Sequence, residues 1–143
     1  MLYETILQAP LWDQKRWPNF KPHEFACKCG GRFCQGEFWY DETFFDALQA
    51  LREDVGKSIW ITSGHRCNLW NAAVGGAPMS MHKQIAVDVS LGNHPDRWTL
   101  LAKARRHGFN GIGKGRTFLH LDRRTVPATW DYGPRSIEAW KTG

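Results

Sequence analysis

In two short stretches of this chain, Ala86-Val87-Asp88-Val89-Ser90 and Phe118-Leu119-His120-Leu121-Asp122, every second residue is a branched aliphatic and ionisable groups stand between. Side chains alternate across a strand, so Val87, Val89 and Leu91 take one face while Ala86, Asp88 and Ser90 take the other. By the same rule His120 and Asp122 share a face opposite Leu119 and Leu121. Such segments require a sheet with one face on a core and ionisable groups on the other. A carboxylate inside an apolar strand is costly to bury unless a cation or metal pairs with it, which makes Asp88 the strongest single pointer to a site. If the polar faces align, Asp88 and His120 converge, and His82, in the loop entering the first strand, closes a triangle.

The remaining elements predict an α+β fold, a small antiparallel sheet flanked by helices. The 143 residues fit a single domain. Residues 1–26 read as a lead-in with one early helical turn, broken by Pro10, Pro18 and Pro22, of which 1–19 form the lead-in segment proper. A helix is predicted from about Asp41 to Val55, with Asp41 as N-cap, Phe44, Phe45, Leu48, Leu51 and Val55 inward, and Gly56 as the stop. Ile59–Thr62 reads as a strand, Asn68 to Val74 as a short helix, and Thr117 to Leu121 as a strand. A second amphipathic helix covers roughly Pro95 to His107, with Pro95 in its first turn and Trp98, Leu101 and Ala102 inward. Gly111-Ile-Gly113-Lys-Gly115 reads as a glycine-rich turn. It is no phosphate loop, since no Gly-Lys-Ser/Thr follows and no helix starts there.

A net charge of +5 favours an anionic partner such as a cell-wall polymer, a membrane surface or nucleic acid. The basic residues are scattered, which argues against a nucleic-acid stripe. The first ten residues lack a basic and then apolar leader, and no apolar run reaches membrane-spanning length, so synthesis in the cytoplasm without a signal peptide or membrane insertion is expected. Cys27, Cys29, Cys34 and Cys67 read as reduced thiols. Cys27-x-Cys29 is tight for a zinc knuckle, and a structural metal site or a disulfide to Cys67 stay open.

Two neutral imidazoles and one carboxylate can hold a catalytic zinc with a fourth position open. His23, His94 and His107 read instead as surface or satisfied polar groups, His107 favoured by its place at a helix C-terminus.

The order Ser63-Gly64-His65-Arg66-Cys67, Asn71, Val74-Gly75-Gly76, Ser80-Met81-His82, Ala86-Val87-Asp88 and Phe118-Leu119-His120-Leu121-Asp122 resembles the M15 family of zinc D-Ala-D-Ala-type peptidases. That group includes bacterial carboxypeptidases, murein endopeptidases and phage endolysins, and shares its fold with Hedgehog signalling domains. The resemblance covers about residues 20 to 132, with Phe25-Ala26-Cys27 and Trp130-Asp131-Tyr132 as flanking elements. It implies that His82, Asp88 and His120 ligate one Zn2+ ion, that Arg66 faces the substrate and steadies an oxyanion, and that Ser80 contacts the substrate. It leaves Asn71 and Gly75-Gly76 to shape the loop presenting His82. His65, where the family often has tyrosine, is a further candidate for stabilising the transition state. The chain departs from the family pattern twice. The His82–Asp88 spacing is one residue short and lacks the family glycine, and Thr117 stands where many members carry an acidic base. Asp122, the nearest acidic replacement, is either that general base or a carboxylate orienting an imidazole.

The resemblance therefore implies a monomeric zinc metallopeptidase of the D-Ala-D-Ala carboxypeptidase or murein endopeptidase type. It would hydrolyse peptidoglycan stem peptides or crosslinks, as a phage or prophage lysis enzyme acting on the cell wall after release. The alternatives are a catalytically silent zinc-containing cell-wall-binding module and a cysteine-based nucleic-acid binder. The second leaves Asp88 and the two histidines unexplained.

Overall fold

The computed structural model describes residues 1–92, 94 and 96–141. Strands β1 (Leu2–Tyr3) and β2 (Phe38–Trp39) pair as a small antiparallel ribbon. Helix α1 (Glu42–Val55) follows, its first turn closed by the Asp41 carboxylate, which accepts from the Phe44 amide at 3.1 Å. Phe44, Phe45, Leu48 and Leu51 are its buried face. After it come β3 (Ile61–Ser63), α2 (Asn68–Ala73), β4 (Val87–Ser90), α3 (Arg97–Arg106), β5 (Gly111–Lys114), β6 (Phe118–Asp122), β7 (Ala128–Asp131) and α4 (Pro134–Lys141).

The main sheet has the order β3-β4-β6-β5-β7. Its first four strands are antiparallel, and β7 adds a parallel edge beside β5. The alternation seen in the sequence sets the two faces. Val87, Val89, Leu119, Leu121 and Ile112 are all fully buried and join Leu48 and Leu51 of α1 and Leu100, Leu101 and Ala104 of α3 in one core. The opposite face of β4 and β6 carries Asp88 and His120.

Two expectations change. Gly111–Lys114 is a strand, not a turn. Gly111 pairs with Asp122 and Gly113 with His120; a Cβ at Gly111 would collide with the Asp122 carboxylate, and one at Gly113 would lie 2.6 Å from the Tyr132 hydroxyl. These glycines make room for the groups around His120. In α3, Asp96 is the cap, accepting from the Thr99 amide at 3.0 Å; Pro95 lies outside the described residues. The inward face is Leu100, Leu101 and Ala104, whereas Ala102 is exposed. Trp98 turns outward because its indole N–H donates to the Trp140 carbonyl at 2.9 Å on α4, an element the sequence reading did not include. The lead-in contributes Trp17, Phe20 and Phe25 to the core, each at most 2% exposed. Trp17 Nε1 donates to Asp46 on α1 at 2.9 Å, and Arg16 pairs with Asp46 at 2.7 Å and Glu42 at 3.0 Å.

Candidate active site

Asp88 and His120 are directly opposed across β4 and β6. His82 reaches them from a single 3-10 turn, Met81–Lys83, whose first backbone turn is closed by the Ser80 hydroxyl accepting from the His82 amide at 3.1 Å. Because His82 lies in this turn and not on β4, the short spacing to Asp88 does not separate the groups. Asp88 Oδ1 lies 3.1 Å from His82 Nε2 and 3.3 Å from His120 Nδ1, and the two nitrogens are 3.1 Å apart.

Each imidazole is held from behind. His82 Nδ1 donates to the Gly64 carbonyl at 2.6 Å, and His120 Nε2 donates to Asp122 Oδ2 at 2.7 Å. In the neutral form of each imidazole the other nitrogen is then an acceptor on the side of Asp88. Burial keeps the His82 imidazolium disfavoured and its pKa below the ordinary histidine value. His120 is raised above it: burial pulls it down, but Asp122 and Asp88 outweigh that. Burial would raise the Asp88 carboxyl, yet His120 and His82 hold it well below the usual carboxylate range. Three acceptor atoms facing one point fit a cation. Ligand bonds of about 2.0–2.1 Å in a tetrahedron place donor atoms about 3.3 Å apart, close to the observed edges.

The triangle forms the floor of a cleft of about 490 Å³, walled by Ser80, Phe118, Trp130 and Tyr132 and carrying Arg66 and Arg124. A family model described as Peptidase M15 matches residues 18–122, a span holding all three converging residues. The chain belongs to the peptidase M15 family. Members of this family are zinc peptidases, and His82, Asp88 and His120 form one group among the described residues that could hold a metal ion. No curated protein gives a significant match to the chain.

Arg66 lines the cleft beside Asp88. Its Nη2 is 3.5 Å from Asp88 Oδ2, and its Nη1 donates to Asn71 Oδ1 at 3.3 Å. Asn71 in turn donates to the Ala77 carbonyl at 2.9 Å and so fixes the loop over the cleft. Asp122, one of two roles left open, is fully buried behind His120 and does not line the cleft. Its Oδ1 accepts from the Arg124 amide at 3.0 Å and from Nε at 2.8 Å, and its Oδ2 accepts from Nη2 at 2.6 Å. Burial is overcome by Arg124 and His120, and the carboxyl stays well below its usual range. Asp122 is thus a positioning residue for His120, not a base facing the cleft. His65 is also corrected. It is 1% exposed, with Nδ1 2.5 Å from the Gln84 carbonyl and Nε2 2.8 Å from Glu37, and it does not reach the cleft. Its ring ties Glu37, just before β2, to Gln84, just after the turn carrying His82.

Arg124, Trp130 and Tyr132 were not among the expected site residues. Arg124 extends the His120, Asp122 alternation by one more step, a signal hidden by reading the charge as scattered. Its guanidinium lies 4.7 Å from the Trp130 ring centroid, and Trp130 packs 5.1 Å from the His120 ring. Both aromatics lie beyond the matched span.

Proposed function

We propose that this M15 peptidase is zinc-dependent and hydrolyses the stem peptides or crosslinks of peptidoglycan. The observation that carries the reading is the triangle of His82 Nε2, Asp88 Oδ1 and His120 Nδ1 on the floor of an open cleft with two arginines. Zinc held there supplies the Lewis acidity that makes a water nucleophilic near neutral pH and polarises a scissile carbonyl. Arg66, held by Asp88 and Asn71, is placed to bind a peptide carboxylate or the oxygen of the carbonyl under attack. Burial raises the Tyr132 hydroxyl above its ordinary pKa, so it stays protonated and can donate a hydrogen bond into the cleft. Trp130 and Phe118 supply apolar walls. The net charge of +5 supports docking on an anionic wall polymer. A lysis role for a phage or prophage, with the monomer acting on the wall after release, belongs to the same proposal.

One observation favours a second reading, a catalytically silent cell-wall-binding module. Among the described residues lining the cleft, Asp88 is the only acidic one, and Asp122 is turned away. Mass spectrometry of muropeptides after digestion of purified peptidoglycan separates the two readings. New stem-peptide or crosslink products from the unaltered protein, absent with His120→Ala, support the peptidase. Zinc content with intact muropeptides supports the silent module.

A further inference from the structure

Cys27, Cys29, Cys34 and Cys67 come from two distant parts of the chain, and their four sulfurs lie within 4.8 Å of one another. All four are free thiols. A tetrahedron with metal–sulfur bonds of about 2.3 Å has sulfur–sulfur edges of about 3.8 Å; Cys29 and Cys34 already stand 3.5 Å apart. Backbone amides point at the sulfurs: Glu37 N–H donates to Cys34 Sγ and Cys67 N–H to Cys27 Sγ, both at 3.4 Å. Such bonds suit thiolates that carry charge. The tight Cys27-x-Cys29 spacing proves irrelevant, because the knuckle-like pair is Cys29-x4-Cys34, turned through Gly30 and Gly31 at φ 68° and 83°. Trp70 packs over the cluster.

We propose that Cys27, Cys29, Cys34 and Cys67 bind a second, structural zinc ion, separate from the His82–Asp88–His120 site. Four thiolates and no open position define a closed site with no role in chemistry. Its place gives it a purpose. Cys67 caps α2 and follows Arg66 directly, while Gly64, three residues earlier, holds His82. The ion ties the Cys27–Gly36 loop to this segment and so braces the wall of the cleft.

The test is zinc content by plasma mass spectrometry and thiol titration in chelator and denaturant, on full-length protein purified under reducing conditions. Two zinc ions per chain and four titratable thiols are expected. His82→Ala/His120→Ala should retain one zinc, and cobalt in its place should show an intense thiolate-to-cobalt charge-transfer band. Cys29→Ser/Cys34→Ser, where it folds, should lose one equivalent. Loss of all metal from the histidine variant, fewer than four thiols (disulfides in place of a metal), or a cobalt spectrum without the thiolate band would each overturn the proposal. None of these readouts depends on peptidase activity.

Discussion

His120 is held by two carboxylates doing different work. Asp88 meets it at Nδ1, inside the triangle, and Asp122 meets it at Nε2, from behind. Removing a hydrogen-bond partner behind a metal-binding imidazole typically costs 10–100-fold in affinity. Asp122→Asn should therefore weaken zinc binding about 10- to 100-fold while leaving muropeptide products unchanged at saturating zinc, measured by competition with a zinc indicator. Were Asp122 the general base, cleavage would stay lost even with the metal site filled. Strand alternation makes Asp88 and His120 legible as neighbours, with His82 in the loop beside them, whereas Arg66 enters only through the family resemblance. Asp122 was legible only as a pair of roles, since strand parity puts it on the face of His120 without saying how deep that face is buried. His65 misled for the same reason: its neighbour Arg66 faces the cleft, and sequence does not reveal that Glu37 and Gln84 draw His65 the other way.

At the scale of elements, helices announced by caps and strands announced by alternation stand where the sequence puts them. Asp41 and Asp122 bound α1 and β6 within a residue of expectation. The glycine-rich β5 resembles a turn in sequence because glycine frequency carries no information on what occupies the vacated space. Here that space belongs to Asp122 and Tyr132. The prolines of the lead-in mark breaks in secondary structure and carry no information on its burial. Trp17 is fully buried against Trp12, Phe45 and Tyr40. Trp17→Ala should cost about 3–5 kcal/mol, read by urea denaturation. A change near zero would show that residues 1–19 are dispensable to the core.

Across the whole molecule, one face of the sheet is spent on stability and the other on chemistry, and surface ion pairs fasten the lead-in to the body. Arg16 is the main cause of a depressed Asp46 pKa, with Trp17 also donating to the carboxylate against the effect of burial. A group that binds its proton more weakly when folded contributes stability that is fully present above its unfolded pKa of about 4 and is lost as pH falls through the folded value. The gap in melting temperature between the unaltered protein and Asp46→Asn should hold steady from pH 7 to pH 5 and close below pH 4. Half-exposure of the pair keeps the gap small, and one that widened in acid would contradict the assignment.

The most direct measurement of the central claim is zinc add-back to chelated enzyme, with muropeptide release followed by mass spectrometry. Cleavage should vanish on chelation, return on zinc addition in the unaltered protein, and fail to return in His82→Ala or His120→Ala. Cleavage that persists through chelation, or that returns equally in the histidine variants, would show that the His82–Asp88–His120 triangle does not carry the reaction.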